Sequence, residues 1–352
     1  MSDVKPVTNK QRVVVICPGR GTYNKEELGY FHRFHQDKSE LLSIIDQYRV
    51  KQGQLTVKEL DQMPSYNMRL HTSGENASSL IYACSLADFH SINRDNYEIV
   101  AVTGNSMGWY IALAVARVLN AQAAIKLINT MGSMMKNSVI GGQVIYPIVD
   151  DNWQEDARKI ALVQEVMSGI NLTVGCEVYI SIKLGGFIVI GGNKAGLKAL
   201  LSKLPTIDDR YPMNLFNHAA FHTPLLRDIS IRAKQQLSQQ LFNAPSIPLI
   251  DGQGKIWQPY STDIEELYNY TLGKQVVEYY DFTKAIEVAV KEFAPDKLVI
   301  LGPGATLGGA TAQSLIKHKW QNMSNKNDFI LRQKQDPYIL AMGIKEQRDL
   351  VI

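Results

Sequence analysis

Hydrophobic positions along the chain follow two periods. Short continuous runs rich in β-branched residues occur at 13–17 (Val-Val-Val-Ile-Cys), 98–103, 248–251 and 297–301. Runs of that length, bounded by turn residues, predict strands buried on both faces, as in a parallel sheet. The segments between them carry apolar residues at helical spacing. These predict a polar helical region over 24–70, with the stripe 38–46, and helices over 76–90, 109–119, 121–135, 283–293 and onward from about 225. Strands alternating with helices in this way define an α/β chain.

The pattern changes after Gly141-Gly142. A strand is expected at 143–149, a helix at 152–167, and a hairpin of 178–183 and 187–191 turning on Leu184-Gly185-Gly186. A helix at 193–203 and a strand at 210–215 follow. This βαββαβ order is ferredoxin-like. The expected architecture is an α/β-hydrolase-like core with a parallel sheet, formed by residues 1–140 and 216–352. A ferredoxin-like small subdomain, residues 141–215, is inserted in it. No pattern assigns a role to the charged tail after Lys317.

Composition narrows the class. The 352 residues are 45% hydrophobic and 20% charged, a soluble globular balance with enough chain for a large core. Lys and Arg number 37 against 34 Asp and Glu, a net charge of +3. That balance is too even to suggest a dedicated nucleic-acid binder. The cysteines Cys17, Cys84 and Cys176 are odd in number and form no CxxC pair, so they are expected as small buried hydrophobes in a reducing compartment. The first twelve residues lack the apolar stretch of a signal peptide, and no uncharged run reaches membrane-spanning length. The expectation is a cytoplasmic protein with no membrane and no nucleic-acid partner.

Candidate chemistry centres on Gly104-Asn105-Ser106-Met107-Gly108, a G-x-S-x-G between a β-branched strand and an apolar helix. In that context the glycines let a sharp turn close, Ser106 Oγ stands exposed, and the Met107 N–H can face an oxyanion. A serine nucleophile needs a base. Among seven histidines, His32 and His35 fall in a polar helix and read as a solvated face. His218 and His222, in the loop after the small subdomain's last strand, can reach a serine across the seam; position alone does not choose between them. Gly19-Arg20-Gly21 lacks both a Walker pattern and a full G-x-G-x-x-G. Its better use is a second oxyanion N–H, from Arg20.

Four segments in order resemble the malonyl-CoA:acyl-carrier-protein transacylase family, which also supplies polyketide synthase acyltransferase domains. They are Pro18-Gly-Arg-Gly-Thr-Tyr23 (PGQGSQ in the family), Gly104-Asn-Ser-Met-Gly-Trp-Tyr110 (GHSLGEY), Phe221-His-Thr-Pro-Leu225 and Leu301-Gly-Pro-Gly304. The resemblance implies Ser106 as acyl-accepting nucleophile and His222, rather than His218, as its base. It implies Met107 and Arg20 N–H groups as oxyanion hole. The histidine would be oriented by a backbone carbonyl, expected near Asp251-Gly252 and taken as Gly252. Acyl-CoA would be substrate, an acyl carrier protein the acceptor, and no cofactor or metal would be needed.

The chain departs from the family around the acyl pocket. Met131 stands where malonyl-specific members carry a carboxylate-binding arginine, Asn105 replaces the histidine beside the serine, Trp109 replaces a glutamate, and Phe187 falls on a glutamine position. Met131, Asn105 and Phe187 are therefore expected to line the substrate. Two readings follow: a neutral acyl group, because an unpaired buried carboxylate is costly, or a carboxylate met by Arg20 instead. The same parts also fit a hydrolase of acyl-CoA or esters, or a noncatalytic binding paralogue.

Overall fold

A computed structural model describes residues 10–134 and 139–352. The expectations placed on residues 1–9 and on Met135 lie outside these. The four β-branched runs come together in one sheet. Its strands are β1 (Gln11–Cys17), β2 (Tyr97–Gly104), β7 (Leu249–Ile250), β8 (Ile256–Trp257), β10 (Lys297–Ile300) and β11 (Ile339–Ala341), in the order β11-β10-β1-β2-β7-β8. All neighbours pair in parallel except β8, which runs antiparallel to β7. Residues Val13 to Cys17 are wholly buried, as expected of a central parallel strand covered on both faces. The unassigned tail supplies β11 and so completes one edge of this sheet. β8 was not foreseen: two residues carry too little pattern to read.

The second sheet combines β3 (Gly142–Pro147), β4 (Val178–Leu184), β5 (Phe187–Gly192), β6 (Met213–Asn214) and β9 (Tyr280–Asp281), in the order β6-β3-β5-β4-β9. Its first four strands are antiparallel, with helices Ala157–Asn171 and Lys194–Lys203 in the ferredoxin-like succession. The fifth strand, β9, lies far outside 141–215 and pairs in parallel with β4. The small sheet is thus stitched to the rest of the chain by a strand beyond its own segment.

Several boundaries shift for local reasons. The helix expected from 152 starts at Ala157, because Asp156 is its N-cap and accepts from the Arg158 and Lys159 N–H groups. The strand expected over 210–215 shrinks to Met213–Asn214, since Pro212 has no N–H to give the ladder. The elbow helix ends at Val115 rather than 119, and Arg117 follows in the left-handed region with φ 60°. Cys17 and Cys84 are buried and Cys176 is partly so; all three are free thiols. Among the described residues no helix is long and apolar enough to cross a membrane.

Candidate active site

The C-terminal end of β2 meets the elbow helix Gly108–Val115 through a turn of three residues, Asn105 to Met107. Ser106 sits there at φ 55°, a strained position for a non-glycine residue. The flanking glycines are required by contact. A Cβ on Gly104 would collide with the Gly108 carbonyl group, and one on Gly108 with the Cys17 carbonyl oxygen at the end of β1. Gly19 is equally constrained: a Cβ there would come within 2.7 Å of the Asn105 carbonyl oxygen. The first strand's loop and the serine turn therefore press together, which brings Arg20 beside Ser106.

His222 arrives from the other sheet. It too has positive φ, 57°. The loop before it is held on the small sheet by a relay of hydrogen bonds. His218 Nδ1 donates to Gln143 Oε1 (2.7 Å), Gln143 Nε2 to Ser181 Oγ (2.6 Å), and Ser181 Oγ to the Phe221 carbonyl (2.8 Å). Gly191 on β5 is the space this loop needs, since a Cβ there would stand 2.7 Å from Thr223 Cγ2. The relay and the elbow bring Ser106 Oγ and His222 Nε2 to 2.7 Å.

The orienting carbonyl is that of Gln275, which accepts from His222 Nδ1 at 2.6 Å. The expectation of Gly252 is corrected: the Gly252 carbonyl is already taken by the Asp281 N–H at 2.7 Å. Gly252 instead makes room for the Tyr280 ring, whose hydroxyl donates to the Gly104 carbonyl at 2.6 Å and braces the elbow from below. Gln275 begins the short helix Gln275–Val277, after a π-helical turn at Tyr270–Lys274. Carbonyls in a helix's last turn lack intrahelical partners, so this one is free for an outside donor. Its side chain adds two contacts, donating to the Ser106 carbonyl (3.1 Å) and accepting from Tyr110 Oη (2.8 Å). Nothing in the sequence singles out Gln275; it lies 53 residues from His222 and in no recognised motif.

With Nδ1–H committed to a carbonyl, Nε2 carries the lone pair and Ser106 donates to it. Burial pushes His222 down to about 4, against which the Gln275 carbonyl works. Burial first, then the charges of Arg20 and His222, push His218 down to about 3. Both imidazoles are neutral at neutral pH, so His222 is ready to take a proton.

A cavity of about 590 Å³ opens at the pair, between the two sheets. Ser106, Met107, His222 and Arg20 line it, and so do Asn105, Met131 and Phe187. Gly252 does not. Neither the Met107 nor the Arg20 backbone N–H has an acceptor among the described residues. Phe187 packs against Tyr211 with ring centroids 5.6 Å apart, forming an apolar wall. Trp109 is wholly buried; its Nε1 donates to Thr271 Oγ1 at 3.1 Å and ties the elbow helix to the π-turn before Gln275. Of the other histidine pair, His32 is exposed but His35 is wholly buried, which corrects the expectation of a solvated face. Among the described residues no cluster of three or more His, Cys, Asp or Glu is placed to hold a metal.

A parallel α/β sheet with a serine elbow, and an inserted ferredoxin-like sheet that brings a histidine to it, define an α/β fold with a serine–histidine pair at the seam of its two sheets. Comparison with known proteins shows which proteins share this fold. The chain has the fold of the malonyl-CoA:acyl-carrier-protein transacylases. It superposes on the Synechocystis malonyl-CoA:ACP transacylase with a TM-score of 0.73 over 97% of this chain and 99% of that one, at 17% identity. The acyltransferase domain from the second module of the salinomycin polyketide synthase gives 0.69 over 96% and 70%, at 18% identity. In sequence it is 28% identical over 312 residues to the non-reducing polyketide synthase nscA of Trichophyton tonsurans, covering 82% of this chain and 15% of that protein. It is 26% identical over 220 residues to the malonyl CoA-acyl carrier protein transacylase of Haemophilus influenzae, covering 61% and 64%. The chain thus spans about a seventh of the length of the polyketide synthases it matches. No family model matches it. The resemblance drawn from four short motifs is borne out across the whole fold.

Proposed function

We propose that the chain is an acyltransferase that moves an acyl group from coenzyme A to the phosphopantetheine thiol of an acyl carrier protein, in fatty-acid or polyketide biosynthesis. The observation that carries this reading is the 2.7 Å Ser106–His222 contact, with His222 held by a carbonyl, at the floor of a cavity between two sheets. Ser106 Oγ gives its proton to His222 Nε2 and attacks the thioester carbonyl carbon. The carbonyl oxygen takes the negative charge and is met by the Met107 and Arg20 N–H groups, the first also lying at the N-terminus of the elbow helix. The C–S bond breaks, and His222 returns the proton to the departing coenzyme A sulfur. The acyl-serine ester then awaits a thiol. His222 takes the thiol proton, the thiolate attacks the ester carbonyl, and Ser106 leaves with the proton. Because the histidine is neutral at rest and oriented by a carbonyl, no acidic third residue is needed to set its tautomer.

Intact-protein mass spectrometry after brief exposure to acyl-CoA tests this. An acyl adduct is expected on the wild type and none on Ser106→Ala. Adding a phosphopantetheinylated carrier protein should discharge the adduct onto the carrier at least tenfold faster than water does. Discharge by water at the same rate as by carrier would make the protein a hydrolase. No adduct and no coenzyme A release from any donor would make it a noncatalytic binding paralogue.

A further inference from the structure

We propose that Arg20 is the specificity-determining residue of the acyl pocket, its guanidinium receiving the free carboxylate of a carboxylated acyl donor from the loop after β1 rather than from the helix that carries Met131. The assignment rests on the transfer reading above and deepens it by naming the substrate class.

Four observations carry it. First, no aspartate or glutamate lines the cavity among the described residues, while Arg20 does. The charge of the inner site is therefore unmatched by any acidic residue among the described lining residues, and His218 beside it is neutral. Second, the guanidinium is fixed in place. Nη2 donates to the Asn217 carbonyl at 2.7 Å and to the Thr72 carbonyl at 3.1 Å, and the planar group lies over the Phe221 ring, 5.5 Å from its centroid. Asn217 holds the two carbonyls together: it stands at φ 57°, and its Nδ2 donates to Thr72 Oγ1 at 2.8 Å. With Nη2 committed, Nε and Nη1 keep three N–H donors with no acceptor among the described residues. Third, the group lies beside the helix segment that carries Met131. A Cβ on Gly74 would collide with the Gly132 carbonyl oxygen, next to Met131, and would stand 3.6 Å from Arg20 Nη1. Fourth, burial alone lowers Arg20 to about 10, as for a cation set among neutral groups. A carboxylate is the group that offsets such a desolvated charge.

Arg210 also lines the cavity, but it is exposed and lies over the Tyr211 ring at 5.3 Å, where solvent screens it. The carboxylate and the thioester oxygen of the donor would then both be met from the loop after β1.

The test is the ratio of Ser106 acylation rates with malonyl-CoA or succinyl-CoA to those with acetyl-CoA or butyryl-CoA. It is measured on the wild type, Arg20→Gln, Arg20→Lys and Arg20→Gln combined with Met131→Arg. The wild type is expected to prefer the carboxylated donors. Arg20→Gln, which leaves the backbone N–H in place, should lower that preference about 100-fold, on the order of one desolvated ion pair. Arg20→Lys keeps a cation but cannot hold two carbonyls in the same plane, and should retain at least ten times more of the preference than glutamine. Met131→Arg should restore it in the Arg20→Gln background. A wild-type preference for neutral donors overturns the assignment. So does an equal fall for all donors in Arg20→Gln, or equal behaviour of the lysine and glutamine variants, either of which would leave Arg20 a purely structural clamp. Should Arg20→Gln fail to fold, the lysine variant decides against the wild type: a preference for carboxylated donors reduced about tenfold is expected, and an unchanged preference overturns the assignment. Absence of any Ser106 adduct from the wild type overturns the transfer reading instead, and this assignment with it.

Discussion

Two buried histidines divide the molecule between chemistry and structure. His222 meets a serine at 2.7 Å and a backbone carbonyl at 2.6 Å. His35 meets a carboxylate: its Nε2 is 2.8 Å from Asp88 Oδ1, and neither side chain has any solvent exposure. By residue type His35–Asp88 looks more like half of a catalytic triad than His222 does. Its surroundings make it something else. Arg348 from the C-terminal helix Lys345–Val351 reaches the same Asp88 oxygen at 2.5 Å, and Tyr30 Oη and the Gly302 N–H bond the other at 2.9 and 2.7 Å. Every acceptor position on Asp88 is used, and among the described residues no serine or cysteine side chain is hydrogen-bonded to His35, which has no solvent exposure. The cluster pins the C-terminal helix and the loop after β10 to the helix Gly74–Ser91. What distinguishes a base is therefore access and a reacting partner, while a carboxylate beside an imidazole serves as readily for architecture.

The largest effect that tests this division is on acylation. His222→Ala is expected to slow formation of the acyl-serine by roughly 10³-fold, the scale of removing a positioned general base. His35→Ala should leave acylation of the folded protein within about threefold and act instead on melting. Stopped-flow release of coenzyme A checks both; a rate loss in His35→Ala comparable to that in His222→Ala would abolish the distinction.

A second effect runs the opposite way. Asp88→Asn leaves Arg348 buried, with less than 5% exposure, and without its counter-charge. Such a break costs about 3–5 kcal/mol. Denaturant unfolding should show that loss, and should show part of it recovered when Arg348→Met removes the stranded cation as well. A stability loss below about 1 kcal/mol in Asp88→Asn would mean that the cluster does not hold the C-terminal helix.

The sequence reached one of these two regions far better than the other. Ser106 is legible because a nucleophile elbow needs glycines at fixed offsets, and the collisions at Gly104 and Gly108 are the physical origin of that spacing. The parallel strands are legible because strands covered on both faces must be continuously apolar. Gln275 is not legible, since it acts through a backbone carbonyl that any residue could supply, and only the π-turn and helix end place it. His35 was misread because a periodicity argument counts its polar type. It cannot anticipate that Asp88 and Arg348, at separations of 53 and 313 residues, bury it. β11 escapes for a related reason: three residues within a charged tail carry no pattern until β10 offers them an edge.

The smallest expected effect is a pH dependence peculiar to the site. Burial holds His222 at about 4 and His218 at about 3 in the folded protein, below the ordinary histidine value near 6.5 that each regains on unfolding. Between those values the unfolded chain binds protons that the folded chain refuses, so folding stability increases with pH across that window. Nothing is lost on this account above about pH 6.5. As the pH falls from there toward 4, stability falls, with each of the two groups removing on the order of 2 kcal/mol by about pH 5. Unfolding midpoints measured from pH 7.5 to 4.5 should therefore decline, and His218→Asn should flatten the decline by about one proton's slope. His218 hands its proton to Gln143, which asparagine can also do through its amide, so the relay that sets the His222 loop is not simply deleted. An unchanged slope in that variant would mean that His218 takes up its proton inside the fold. The relay would then be held by an imidazolium, and the charge near Arg20 would be larger than the neutral histidine leaves it.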